Sequence, residues 1–119
     1  MIVAKHFEWE ASHQLPDKEE YGKCKNLHGH TYKLTVEISG NVNDKGWVIN
    51  FSTLKEIVNR VVIDRYDHKH LNEFFTIPTA EIILNTIVND LTEELIKLNV
   101  LLHSVTLYET SNSYVKWEA

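Results

Sequence analysis

The sequence contains a single cysteine, so no intrachain disulfide can form, and Cys24 is either a small buried residue or a reactive thiol. It has no apolar run of membrane-spanning length, and no signal-peptide-like stretch follows Met1. It also lacks repeats and low-complexity segments. We therefore expect a soluble, cytoplasmic protein with no membrane partner, folded as one domain over residues 1–119.

A concentrated positive surface is also missing. The 12 Lys and Arg residues are scattered among 17 Asp and Glu residues, and the formal net charge is −5. Nucleic-acid binding depends on grouped cations, so we expect no nucleic-acid partner. What the chain does have is seven histidines, which make metal binding or acid–base chemistry possible.

Hydrophobic periodicity predicts strands towards both ends of the chain and two helices between them. The strands are predicted over Ile2–His13, His30–Ser39, Val105–Glu109 and Tyr114–Trp117, with a short extended run at Trp47–Ile49 that would form a hairpin with the preceding strand. The first helix should run from about Thr53 to Arg65, with Thr53 and Glu56 as a capping box, and the second should be capped by Thr79. This order indicates an α+β domain, a four-stranded antiparallel sheet with two helices on one face.

Three histidines form the clearest pattern for a metal site. His28 and His30 are separated by one residue at the start of a strand, so both can project to the same side, where Gly29 leaves room for a ligand. His13 ends the apolar face of the first strand and would complete the set if the first two strands pair antiparallel. Three neutral imidazoles leave one tetrahedral position of Zn²⁺ open, as in catalytic zinc sites. The alternative is that each histidine is an ordinary half-buried strand residue.

Cys24 lies four residues before His28, near enough in sequence to reach the same pocket. It is a buried thiol, a fourth zinc ligand that would close the site, or a reactive thiolate. The lysines on either side, Lys23 and Lys25, would stabilise a thiolate, which favours the reactive form.

Two further places carry possible chemistry. Asp67 and His68 join a carboxylate to an imidazole, which suits a proton relay if the carboxylate fixes the tautomer, and the alternative is a solvated helix end. Glu109 stands at an inward position where an apolar residue is expected, and its carboxylate could accept two parallel N–H groups of a guanidine-like ligand. The alternative is a strand-end glutamate that faces water. His6 and His70 are assigned no function.

Six segments, in the same order along nearly the whole chain, resemble the 6-pyruvoyl-tetrahydropterin synthase and 6-carboxytetrahydropterin synthase family. They are Ala11–His13, Cys24–His30, Gly46–Phe51, Asp67–Asn72, Pro78–Glu81 and Glu109–Thr110. The resemblance implies the tunnelling fold, in which the sheets of several subunits join into a barrel with the helices outside. It also implies active sites between subunits, in an assembly that is commonly a homohexamer built from two trimers.

The same resemblance implies roles for the candidate residues. It implies zinc binding by His13, His28 and His30, proton transfer by Cys24 with Asp67 and His68, and pterin anchoring by Glu109. The implied substrate is 7,8-dihydroneopterin triphosphate, whose side-chain hydroxyls would chelate the zinc ion. Lys23, Lys25 and Arg65 are candidates for holding the triphosphate by their charge alone.

The spacing between Cys24 and His28 bears on the product. Three residues intervene, which resembles the bacterial and archaeal 6-carboxytetrahydropterin synthases of the queuosine, or 7-deazapurine, pathway. We therefore expect 6-carboxy-5,6,7,8-tetrahydropterin, acetaldehyde and triphosphate, with the pyruvoyl-forming reaction as the alternative. Two other classes of function are alternatives. One is a non-catalytic scaffold in which Cys24 is the fourth ligand of the zinc ion. The other is a zinc-free enzyme of the same fold, such as a dihydroneopterin aldolase.

Overall fold

The computed structural model describes all 119 residues and contains one sheet with helices on one of its faces. The strands are β1 (Ile2–His13), β2 (His28–Ser39), β3 (Lys69–His70), β4 (Leu101–Thr110) and β5 (Ser113–Glu118), in the order β3-β1-β2-β4-β5. β3 runs parallel to β1, and all other neighbours are antiparallel. The predicted α+β class is confirmed, but the sheet has five strands and not four. A two-residue strand such as β3 is too short to leave a periodic pattern in the sequence.

The helical elements follow the predicted order with different boundaries. They are a 3₁₀ helix (Glu19–Lys25), α1 (Phe51–Val58), a π turn (Asn59–Ile63), α2 (Asp64–Tyr66), a 3₁₀ turn (Leu71–Glu73) and α3 (Ala80–Ile96). The first predicted helix is therefore one helical segment whose middle turn is widened. Thr79 caps α3 as predicted, because its side chain accepts a hydrogen bond from the Ile82 N–H at 3.3 Å.

The predicted capping box at Thr53 is wrong. Asn50 caps α1, and its Oδ1 accepts a hydrogen bond from the Ser52 N–H at 2.9 Å. Asparagine is at least as good an N-cap as threonine, and with Asn50 as the cap the helix begins at Phe51 and Thr53 falls within its first turn.

Alternating side chains divide the sheet into an apolar inner face and a polar outer face. The buried inner residues of β1 and β2 include Trp9, Tyr32, Leu34, Val36 and Ile38. They form one core with the buried leucine, isoleucine and valine side chains of α1 and α3. His13, His28 and His30 share the inner parity of these residues at the end of the β1–β2 pair.

The predicted hairpin at Trp47–Ile49 does not form. Both edges of β2 are already paired, one with β1 and the other with β4, so the segment has no free edge to join. A turn closes instead from Asn43 to Trp47, where the Asn43 N–H donates to the Trp47 carbonyl at 3.0 Å. Val48 and Ile49 are buried in the core without forming a strand.

The capping difference is testable by paired substitutions. Asn50→Ala removes the side-chain acceptor of α1 and should lower the free energy of unfolding by about 1 kcal/mol. Thr53→Ala should change it by less than about 0.5 kcal/mol, because Thr53 is not the cap. Urea unfolding of the two variants measures both values, and a larger loss for Thr53→Ala would restore the capping box.

Candidate metal centre and active site

The pairing of β1 with β2 brings three imidazoles together on the inner face. The antiparallel register places His13 opposite His28 and Ala11 opposite His30. Ring centroids lie 4.5 Å apart for His13 and His28, 5.0 Å for His13 and His30, and 4.9 Å for His28 and His30. One nitrogen from each ring lies within 4.8 Å of the others.

Backbone carbonyls set the orientation of two of these rings. His13 Nδ1 lies 2.8 Å from the Pro78 carbonyl oxygen, and His28 Nδ1 lies 2.6 Å from the Asn26 carbonyl oxygen. A carbonyl only accepts, so each Nδ1 carries the proton and each Nε2 presents a lone pair. The two Nε2 atoms are 2.9 Å apart. This is close to the roughly 3.3 Å that separates two nitrogen ligands on one tetrahedral zinc ion.

The third ring has an unsatisfied nitrogen. His30 Nε2 is buried and has no hydrogen-bond partner, and the Glu109 carboxylate lies 3.6 Å away. A buried polar atom without a partner lowers the stability of the fold, and coordination of a cation by this nitrogen would remove that cost. A cation would also relieve the repulsion between the facing lone pairs of His13 and His28. The donor set therefore fits a divalent metal ion.

Burial favours the neutral form of His13 and His30, which is the form of an imidazole that binds a metal. Burial lowers the pKa of His13, and the Pro78 carbonyl and the Glu109 carboxylate only partly oppose it. Burial likewise lowers the pKa of His30, against the opposing effect of Glu109. The metal-binding form is thus favoured before any ion arrives.

Cys24 does not join the cluster. The group of possible metal ligands consists of three histidines, and Cys24 is exposed on the 3₁₀ helix that precedes β2. Three imidazoles leave a coordination position open for an outside ligand. The closed site expected for a structural scaffold is therefore not present in this chain.

Glu109 lies beside the cluster on β4 and is partly buried, with 29% of its side chain exposed. It continues the inner parity of Leu107, which faces Leu34 of β2. Its carboxylate therefore points towards the histidine cluster and away from the open outer face. It retains enough exposure to accept hydrogen bonds from a ligand that enters there.

Asp67 and His68 form the predicted pair. Asp67 Oδ1 lies 2.9 Å from His68 Nδ1 and also accepts the Glu10 N–H at 3.0 Å. These contacts, the Glu10 N–H first, lower the pKa of Asp67, so the carboxylate is charged. His68 has a φ of 59°, which is the left-handed backbone conformation. The ring is exposed, and its Nε2 lies 3.9 Å from Oε2 of Glu10.

An open cleft of ≈ 820 Å³ adjoins the cluster, between the ends of β1 and β2 and the segment 68–73. Gly29 lines this cleft opposite Ser12, so the room it leaves lies on the outer face and not among the imidazoles as expected. His70, to which the sequence analysis assigns no function, also lines the cleft, and its Nδ1 lies 3.1 Å from Ser12 Oγ. The short β3 pairing places it there.

Two of the basic residues proposed to hold a triphosphate already contact acidic side chains in the structure. Arg65 donates to Asp90 of α3 at 2.8 Å, and Lys25 lies 3.8 Å from Asp17. Arg65 is therefore engaged in packing the helices together. Lys69 was not selected from the sequence, yet it is the only Lys or Arg side chain among the residues that line the cleft.

Comparison with known proteins identifies the class to which this fold belongs. The family described as 6-pyruvoyl tetrahydropterin synthase matches residues 2–119. The structure of the 6-pyruvoyl tetrahydropterin synthase of Caenorhabditis elegans superposes with a TM-score of 0.88 at 28% sequence identity, covering 100% of this chain and 95% of that one. The chain thus has the fold of a tetrahydropterin synthase.

Two relatives with different product names are similar over nearly their full lengths. The 6-carboxy-5,6,7,8-tetrahydropterin synthase of Haemophilus influenzae is 34% identical over 98% of this chain and 97% of its own length. The 6-pyruvoyl tetrahydrobiopterin synthase of Dictyostelium discoideum is also 34% identical, over 97% of this chain and 93% of its own length. The chain belongs to the 6-pyruvoyl tetrahydropterin synthase family. Separately, no helix of the structure is long and apolar enough to cross a bilayer.

Metal binding can be tested by removing one ligand. The purified protein should retain one zinc ion per chain after dialysis. Loss of a residue that only orients a metal ligand lowers metal affinity by about 10- to 100-fold. His30→Asn removes a ligand itself, so it should lower zinc affinity by more than that. His6→Asn is the matched control, because His6 lies on the outer face and contacts Thr35 Oγ1 at 2.8 Å. Elemental analysis measures the zinc content, and competition with a chelator measures the zinc affinity. Equal zinc content and affinity in the two variants would rule out the histidine cluster as the zinc site.

The neutral imidazoles also predict a pH dependence of the metal-free protein. Because burial lowers the pKa of His13 and His30, the folded chain binds fewer protons at these residues than the unfolded chain. Stability should fall as the pH drops below the ordinary imidazole value of about 6.5, and stop falling below the folded pKa values. Urea unfolding from about pH 7.5 to about pH 5.5 measures this. His30→Asn should reduce the slope, and an unchanged slope would contradict the assignment.

Proposed function

We propose that the chain is a zinc-dependent lyase that converts 7,8-dihydroneopterin triphosphate and water to 6-carboxy-5,6,7,8-tetrahydropterin, acetaldehyde and triphosphate. The observation that carries the proposal is the convergence of three imidazoles, one with an unsatisfied buried nitrogen, in a member of the tetrahydropterin synthase family. Its place would be the cytoplasmic queuosine, or 7-deazapurine, pathway. The substrate is a small molecule, and neither nucleic acid nor membrane takes part.

The metal would be held by His13, His28 and His30. When bound there, a zinc ion would act as a Lewis acid towards substrate oxygens and stabilise negative charge that develops beside them. The chain itself contributes the orientation of the rings. The Pro78 and Asn26 carbonyls fix the tautomers that leave Nε2 free, as orienting partners do in other metal sites.

Glu109 would anchor the pterin ring. A pterin carries a flat edge with parallel N–H donors, and a carboxylate accepts such a pair in a bidentate arrangement. The position of Glu109 next to His30 supports this role, because a ring held there would place its substituent near the open metal position. Partial burial would strengthen the two hydrogen bonds.

Proton transfer would be shared by His68 and Cys24. Asp67 accepts the proton of His68 Nδ1, so Nε2 is the atom that can take a proton from a substrate C–H or O–H bond and leave the electron pair on the substrate. Cys24 is exposed on the 3₁₀ helix that precedes β2 and would take a second proton.

The assembly would be a homohexamer formed from two trimers, as the resemblance implies. β5 forms one edge of the sheet, and β3 covers only Ala11 and Ser12 of β1 at the other. Unpaired strand edges of this kind can join strands of another copy. Cys24 could then reach a metal cluster held by another subunit.

The carboxy product is favoured by the three residues between Cys24 and His28, which the structure accommodates in a short connection from the 3₁₀ helix to β2. The pyruvoyl product is the second candidate, because the matched solved structure of Caenorhabditis elegans and the relative of Dictyostelium discoideum carry that name. The two reactions give products of different mass.

The zinc-loaded protein should therefore convert 7,8-dihydroneopterin triphosphate to a product with the mass of 6-carboxytetrahydropterin and release acetaldehyde. Mass spectrometry and an aldehyde assay measure the two products. A pyruvoyl mass would transfer the assignment to the second candidate, and no turnover of the zinc-loaded protein would overturn the lyase.

Cys24→Ala is the variant to run beside the wild type. It should fold and keep its zinc, because Cys24 is exposed and lies outside the histidine cluster. Its rate should fall by about 10²- to 10⁴-fold, the usual effect of losing an acid–base group. Loss of zinc from this variant would favour the closed scaffold.

A further inference from the structure

Glu10 joins β1 to the Asp67–His68 pair through its main chain. Its N–H donates to Asp67 Oδ1 at 3.0 Å, and its carbonyl accepts the His68 N–H at 2.6 Å. These two bonds clamp the pair against β1, three residues before the metal-site residue His13. The position of His68 is therefore tied to the strand that carries the candidate metal ligand.

The side chain of Glu10 faces the same imidazole. Its Oε2 lies 3.9 Å from His68 Nε2, and its Oε1 accepts a hydrogen bond from Thr31 Oγ1 at 3.3 Å. Asp67 occupies the other edge of the ring at 2.9 Å from Nδ1. One imidazole thus lies between two carboxylates, one bonded and one within ion-pair range.

We propose that Glu10 is a positioning residue for His68, holding its Nε2 edge in the cleft and stabilising the ring once it is protonated. When Nε2 takes a proton from the substrate, the electron pair of the broken bond stays on the substrate and the ring becomes a cation. The new N–H can then donate to the Glu10 carboxylate. The catalytic consequence rests on the proposed function, but the contact itself does not.

Other titratable groups line the cleft but make no ion-pair contact with the His68 ring. Lys69, His70 and Glu73 line it, but the ion-pair contacts of His68 are with Asp67 and Glu10 alone. Asp67 receives main-chain and ring hydrogen bonds and is committed to Nδ1. Glu10 is therefore the carboxylate available to Nε2.

Glu10→Gln isolates the carboxylate charge. The amide has the same shape, leaves both main-chain bonds intact and keeps an acceptor for Thr31. With the zinc-loaded enzyme we expect kcat to fall about two- to fivefold with KM unchanged, the size of one exposed charge contact. Glu8→Gln is the matched control, because Glu8 makes the same charge change on the same outer face but lies outside the cleft. Its kinetics should equal those of the wild type.

A measurement on the metal-free protein tests the contact without turnover. Nitrogen-15 NMR of the imidazole should show a changed His68 Nε2 resonance in Glu10→Gln and an unchanged one in Glu8→Gln. An unchanged His68 resonance in Glu10→Gln overturns the proposal, whatever the activity.

The two proposals fail in different ways. No turnover by the wild type would overturn the lyase, and the NMR comparison would still decide on Glu10. Normal wild-type turnover with equal kcat in Glu10→Gln and Glu8→Gln would overturn the positioning role and leave the lyase intact.

Discussion

The antiparallel register between β1 and β2 is the constraint on which the rest of the site depends. It sets His13 opposite His28 and places His30 on the same face. A slip of one residue would turn one strand's histidines to the outer face, because side chains alternate with a period of two. The buried residues that precede His13 in β1 and follow His30 in β2 prevent this slip, since it would expose Trp9 and its neighbours to water.

The helices contribute to the site through burial and through one carbonyl. Their apolar faces cover the inner side of the sheet, and burial there is what lowers the pKa of His13 and His30. The Pro78 carbonyl, just before α3, fixes the His13 ring. The packing of α3 and the geometry of the histidine cluster are therefore linked. Movement of this helix would disturb the orientation of the His13 ring.

The two faces of the sheet carry different chemistry. The inner face presents three imidazoles beside Glu109, whereas the outer face presents the carboxylates of Glu10 and Asp67 with His68. Adjacent residues of β1 point to opposite faces, so one short strand can serve both. A ligand that bridges the end of the sheet would meet both sets.

Much of this protein follows from its sequence alone. Alternation and helical spacing predicted the α+β class, the long strands and the Thr79 cap, because these features depend on neighbours along the chain. The spacing of His28 and His30 placed both rings on one face for the same reason. Three features were decided only by the tertiary structure. β4 pairs with the second edge of β2, so Trp47–Ile49 forms no hairpin. β3 extends the sheet beside β1, and Cys24 lies outside the histidine cluster. Those outcomes depend on which distant segments compete for the same edge or pocket, and no local pattern records that competition.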